Sequence, residues 1–195
     1  MRELIAGVDE AGRGALAGPV VAAAVVFGDG RGVAGVRDSK LLSPGQRARL
    51  ERLIRTDCVA WSVGLASVEE IDRLNILQAS LLAMRRAVLN LTQQPTQVRV
   101  DGPYLPEMPL RWREEVEFLA MVRGDRRCPV IAAASILAKE WRDRTMRRLD
   151  LQWPGYRLGE HKGYAVPAHR AALVQLGASP AHRRSFRPVR ACVRG

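Results

Sequence analysis

The sequence predicts an α/β fold, a mixed sheet covered by helices. Two runs of strand length, Leu4–Val8 and Val20–Phe27, are apolar and rich in Val and Ala. Other segments carry leucines at helical spacing behind recognisable cap residues. The order is three strands with an early helix, then alternating helices and strands, which is the pattern of an α/β sheet. No repeat or low-complexity linker interrupts the 195 residues, so one domain is expected.

Each element has a local reason. Leu4–Val8 reads as the first strand and Val20–Phe27 as a second, buried one. Between the second and third strands, "LLSPGQRARLERLI" reads as a helix. Ser43 is its N-cap, Pro44 suits the first helical position, and Leu50, Leu53 and Ile54 form its apolar stripe. "VAWSVGLAS" alternates as a third strand. "SVEEIDRLNILQASLLAMRRAVLNL" is helical, opened by a Ser67–Glu70 capping box. "TQVRVDG" and "EFLAMVRGD" read as short strands. "PVIAAASILAKEWRDRTMRRLD" is a long helix whose Ala132–Ser135 start is small enough for close approach. "PAHRAALVQLG" is a helix closed by Gly177.

Lys and Arg number 31 against 20 Asp and Glu, a net charge of +11, which points to a polyanionic partner, nucleic acid above all. Cys58, Cys128 and Cys192 are odd in number and far apart, so no disulfide framework or cysteine metal site is expected and a reducing cytoplasm fits. The longest apolar run, Ala15–Phe27, is too short to span a bilayer and contains Gly18 and Pro19. A soluble cytoplasmic protein with no membrane partner is expected.

Against that basic background, acids recur where strands end. Asp9 and Glu10 follow "LIAGV", Asp101 follows "QVRV", and Asp125 follows "FLAMVRG". Sites in open α/β sheets gather beyond the carboxyl ends of strands. Strand-end Asp is also common in ordinary turns. Four carboxylates gathered in one place repel unless a cation holds them. Hard oxygen ligands without His or Cys suit Mg²⁺ or Mn²⁺ rather than zinc. Two such ions can activate water and stabilise the leaving oxygen of a phosphoryl transfer. Gly12-Arg13-Gly14, beside the first two acids, is either a tight turn or a loop whose N–H groups approach a phosphate or sugar.

At these residues the sequence resembles the bacterial ribonuclease HII family, the type 2 ribonucleases H. "GVDEAGRG", "RDSKLLS", "VDG", "RGDRRCPVIAAASILAKEWRD", "HKGY" and "HRRSFRPV" occur in the family's order and approximate spacing over nearly the whole chain. The resemblance implies a ribonuclease H-like fold, a five-stranded mixed sheet flanked by helices with a helical C-terminal part. It implies one catalytic domain over 1–195, with about 150–195 forming a substrate-binding extension packed on it. It implies an endonuclease that cleaves the RNA strand of RNA–DNA hybrids and nicks 5′ of ribonucleotides embedded in duplex DNA, by a two-metal-ion mechanism leaving 3′-OH and 5′-phosphate ends. A role in ribonucleotide removal from DNA follows.

The family's four catalytic metal ligands fall on Asp9, Glu10, Asp101 and Asp125, with Mg²⁺ or Mn²⁺ as the two ions. Its 2′-OH-reading loop falls on Gly12, Arg13 and Gly14, and its junction tyrosine on Tyr164. Arg123 stands where the family more often has Lys, and Ala15 where Pro often follows the loop. The C-terminal end is short, shows no obvious clamp-binding tail, and a monomer is expected.

Other residues keep two readings. Ser39 and Lys40 are suited to a phosphate, or cap a turn and sit in solvent. Lys139 lies one turn beyond Ser135 and shares its face as a substrate contact, or belongs to a solvated stripe with Arg142 and Arg144, the reading favoured for Arg144. His161 is placed near the site by Tyr164, His169 and His182 as structural or surface residues, and the four Trp as core filling. A basic nucleic-acid-binding protein without catalysis explains the charge but not the acids. Another nuclease or resolvase of the same fold would share the acids but lack "GRG" and the junction tyrosine.

Overall fold

A computed structural model describes residues 3–29, 31–33 and 42–193. Their strands are β1 (Leu4–Ala11), β2 (Val20–Gly28), β3 (Ala60–Ala66), β4 (Gln97–Asp101) and β5 (Glu117–Met121). They form one five-stranded sheet in the order β3-β2-β1-β4-β5. β2 pairs antiparallel with β1 and β3, whereas β1–β4 and β4–β5 are parallel, so the sheet is mixed as expected. The helices are α1 (Pro44–Asp57), α2 (Val68–Leu74), α3 (Ile76–Leu89), α4 (Leu110–Glu115), α5 (Gly124–Arg127), α6 (Pro129–Gln152), α7 (Leu158–His161), α8 (Pro167–Leu176) and α9 (Arg187–Val193).

Strand alternation divides the core in two. Ala6, Val8, Val98 and Val100 face one way, with Ala79, Ala83 and Met84 of α3. Ile5, Ala23 and Val25 face the other, beneath Ile54 of α1 and Ile131 and Ala134 of α6. The small start of α6 meets β1 so closely that a Cβ on Gly7 would overlap the Val130 backbone. A third apolar cluster joins Leu16 and Ala17 to Met146 and to Tyr156, Leu158, Leu173 and Val189, binding the C-terminal helices to the loop after β1.

The expected Ser67–Glu70 capping box forms, and Ser43 caps α1 as expected, with Gln46 completing a second box that the sequence reading did not include. Several expectations need correction. Leu53 is 38% exposed; the α1 face instead buries Glu51, which takes a bidentate pair from Arg144 at 2.7 Å. Arg144 is therefore a bridge between α1 and α6, not part of a solvated stripe. Trp61 packs half-buried against the core with Arg55 over its ring, whereas Trp141 lies at the surface, 6.2 Å from the Trp61 ring and under Arg144, so Trp141 is not core filling.

The helical run after Ser67 breaks at Asn75, whose φ of 72° ends α2 while its carboxamide accepts from Leu77 and Gln78 N–H to start α3. Asn tolerates positive φ and caps helices well, so one residue performs both tasks. Asn75→Ala loses the cap and strains the backbone, an expected cost of about 2 kcal/mol. Thermal denaturation should show a melting temperature about 4–8 °C lower, and Asn75→Gly should lose less than Asn75→Ala.

Candidate active site

β1 runs three residues further than the apolar run Leu4–Val8, through Asp9, Glu10 and Ala11. Asp9 and Glu10 remain paired with Ala23 and Ala22 of β2, so they lie within the strand rather than after it. The β1–β4 parallel register ends with the pair Val8–Val100, and Asp9 and Asp101 stand one step beyond it. Alternation puts both on the face that α6 covers. Asp125 arrives differently: β5 stops at Met121, Arg123 turns left-handed (φ 57°, ψ 38°), and Asp125 sits in the first turn of α5 rather than at a strand end. Its N–H donates to Asp101 Oδ1 at 3.3 Å.

These residues line one cleft of about 500 Å³ with Gly12, Arg13, Gly14, Ser135, Lys139 and Tyr164. Every expected site residue within the described chain is thus in one place, whereas Ser39 and Lys40 lie outside the described residues. Sequence reasoning missed Arg47 as a lining residue, and Ser135 as a hydrogen-bond partner of Asp9. Both come from helices whose packing against the strand ends no local pattern announces. Arg47 Nε donates to Glu140 Oε1 at 2.8 Å, and Lys139 Nζ to Asp143 Oδ1 at 2.7 Å, so buried acids on α6 hold two cations beside the cleft.

Burial raises the Asp9 carboxyl well above its ordinary range, and the charges of Glu10 and Asp101 raise it further. Glu10 is raised by burial too, against the opposing pull of Arg13, whose Nη1 lies 3.2 Å from Glu10 Oε1. This is the signature of like charges held together at a strained electrostatic cost. Among the described residues no three of His, Cys, Asp or Glu form a ready-made metal cage. The donor set nonetheless fits a divalent cation: acceptor-only oxygens whose repulsion such an ion relieves.

Gly12 has a φ of 97°, and a Cβ there would overlap the Arg142 guanidinium. Arg142 and Arg183 are fully buried and donate to the carbonyls of the loop after β1, so Arg142 is no part of a solvated face. Tyr164 is 38% exposed, with Lys139 Nζ 5.9 Å and Arg142 Cζ 5.5 Å from its ring centroid.

Behind it the three histidines form a chain. The His161 ring stacks on His169 at 4.4 Å, His169 Nε2 meets His182 Nε2 at 3.0 Å, and His182 Nδ1 bonds Ser179. His169 and His182 are buried structural residues. Burial and the neighbouring His169 push His182 down to about 4. An unfolded histidine has the ordinary value of about 6.5 and takes up its proton first as pH falls. The stability it contributes is therefore present above that value and lost towards pH 4, by about 3 kcal/mol at most. Thermal melts between pH 7 and 4 should show this decline, and a flat profile would remove the assignment.

A mixed sheet of this order, with acids at the ends of neighbouring parallel strands, defines a ribonuclease H-like fold, and a solved relative agrees. Ribonuclease H2 from Pyrococcus horikoshii OT3 superposes with a TM-score of 0.78 at 30% identity, covering 97% of this chain and 96% of that one. The sequence model of the family described as Ribonuclease HII matches residues 6–189. Ribonuclease HII of Thiobacillus denitrificans is 54% identical over 186 residues, 95% of this chain and 88% of that protein. Ribonuclease HII of Coxiella burnetii is 51% identical over 187 residues, 96% and 90%. The chain belongs to the ribonuclease HII family. It is a ribonuclease H, a nuclease of the hydrolase class, in a family that depends on divalent metal and acts on nucleic acid. No helix among the described residues is long and apolar enough to cross a membrane.

Proposed function

We propose that this chain hydrolyses the RNA strand of RNA–DNA hybrids and nicks on the 5′ side of ribonucleotides embedded in duplex DNA. It leaves 3′-OH and 5′-phosphate ends and serves ribonucleotide removal. The observation that carries this reading is the convergence of four carboxylates, a glycine loop and a tyrosine on one cleft of a strongly basic protein.

In this reading Asp9, Glu10, Asp101 and Asp125 hold two divalent ions, Mg²⁺ or Mn²⁺. Bound there, the ions supply activation of water and charge neutralisation at the departing 3′ oxygen. The chain's own residues do the rest. Lys139 and Lys40 place positive charge against the phosphate backbone, and the Ser39 hydroxyl donates a hydrogen bond to it. Gly12, Arg13 and Gly14 present backbone to the ribose 2′-OH, a group that is both donor and acceptor and that marks RNA. Tyr164 packs its ring on the sugar of the next, deoxy, residue. The 2′-OH is recognised and is not the nucleophile. Residues about 150–195 act as an extension that carries Tyr164 to the cleft, which the shared apolar cluster with Leu16 and Ala17 supports. The chain acts as a monomer in the cytoplasm, where its free cysteines stay reduced.

The decisive assay is a DNA duplex carrying one ribonucleotide, with and without Mg²⁺ or Mn²⁺. Metal-dependent cutting 5′ of the ribose with 3′-OH and 5′-phosphate ends is expected, and an all-DNA duplex should stay intact. A 2′,3′-cyclic phosphate, or equal cutting without ribose, overturns the mechanism; binding without cleavage turns the chain into a nucleic-acid-binding protein. Tyr164→Ala should slow junction cleavage by roughly 10–100-fold and weaken duplex binding far less.

A further inference from the structure

The carbonyls of the loop after β1 are held from beneath by two arginines that solvent does not reach. Arg142 on α6 donates from Nη2 to Ala17 O at 3.0 Å and from Nε to Pro19 O at 3.1 Å. Arg183 donates from Nη1 to Arg13 O and from Nε to Gly18 O, both at 2.9 Å, and its backbone N–H bonds Leu16 O. Arg142 also reaches the other side of the cleft: Nη1 donates to Lys162 O at 2.9 Å, and its guanidinium lies 5.5 Å from the Tyr164 ring centroid. One side chain thus touches both the loop that meets the ribose and the segment that carries the tyrosine.

Nothing about stability alone demands this arrangement. Burial lowers both guanidiniums' hold on their protons, the nearby Arg142 charge lowers that of Arg183 further, and Arg183 Nη2 has no hydrogen-bond partner among the described residues. Apolar side chains would fill such space at less electrostatic cost. What the guanidinium adds is direction, because its rigid fork fixes the planes of the peptides it bonds. The segment carrying Arg183 is itself tied down: Asp72 of α2 accepts from Arg184 N–H, Ser185 N–H and the Ser185 hydroxyl.

We propose that Arg142 and Arg183 are positioning residues for sugar discrimination, fixing the Gly12–Gly14 backbone relative to Tyr164 and so setting the register between a ribose and the deoxyribose that follows it. This rests on the roles given above to the loop and the tyrosine.

The test uses Arg142→Lys and Arg183→Lys, which keep the charge and lose the fork, and Asp72→Asn, which loosens the segment bearing Arg183 without touching the cleft. Cleavage rate, KM and melting temperature are measured on a lone-ribonucleotide duplex, a continuous RNA–DNA hybrid and an all-DNA duplex. Each Lys variant should lose roughly 10²-fold in kcat on the lone ribonucleotide with KM within about threefold, and about tenfold less on the hybrid, which offers ribose at every register. Asp72→Asn should shift the ratio of the two rates in the same direction by a smaller factor. Should Arg142→Lys fail to fold, the other two variants decide. Rates that fall equally on both substrates, in step with lost melting temperature, make the arginines a brace only and overturn the proposal. An unchanged ratio overturns it as well. Cutting of the all-DNA duplex by the wild-type protein is the separate outcome that removes the underlying reading of the loop.

Discussion

Asp9→Asn and Asp101→Asn should each lower cleavage by roughly 10²–10³-fold, because metal-borne charge stabilisation amounts to several kcal/mol and each 1.4 kcal/mol is about tenfold. The same changes should leave the fold intact and make the metal-free protein more stable. Asp9 is raised first by burial and then by the charges of Glu10 and Asp101. A carboxyl raised above its unfolded value of about 4 binds its proton more tightly in the folded state. Folded-state stability is therefore highest below that value and is lost as pH climbs through the raised one. Asn at position 9 removes the loss, so metal-free Asp9→Asn should melt above the wild type at pH 7, with the gap closing in acid. Added Mg²⁺ should raise the wild-type melting temperature more than that of the variant. Near wild-type turnover in either variant would defeat the assignment of these two acids to metal.

The parts of this molecule that were legible in its sequence are those whose causes are local. Ser43 and Ser67 announced two helices because their signals, an N-cap Ser before Pro44 and a capping box with Glu70, are complete within four residues. Asp9, Glu10, Asp101 and Asp125 were legible as a group because each follows an apolar run of strand length. The break at Asn75 was hidden, since apolar spacing continues across it and only the backbone turn reveals the cap. The short helices α4, α5, α7 and α9 left no periodic signal; pieces of four to seven residues are held by tertiary packing rather than by their own propensity. Arg142 looked like one cation among several on a polar helix. Its partners, the carbonyls of Ala17 and Pro19, lie over a hundred positions away. Arg47 and Ser135 reach the cleft only because α1 and α6 pack against the same strand ends.

The two loop glycines should separate stability from function. At Gly12 a methyl group meets the Arg142 guanidinium, and the φ of 97° is one that L side chains rarely adopt. Gly12→Ala should therefore cost about 2–3 kcal/mol of stability from strain and overlap together, and activity with it. At Gly14 a methyl group meets no protein atom within 4 Å. Gly14→Ala should leave the melting temperature unchanged or slightly raised, because Ala restricts the unfolded chain. Gly14 lines the cleft, where in the proposed reading the ribose approaches the backbone. A single methyl group there holds the sugar away by more than an ångström, and misplacement of that size costs roughly 10²-fold in rate. The loss should be larger at a lone ribonucleotide than in a continuous hybrid, and duplex affinity should change little, since phosphate contacts dominate it. Wild-type cleavage of the lone-ribonucleotide duplex by Gly14→Ala would show that the ribose does not pass this glycine, and would move sugar recognition elsewhere in the cleft.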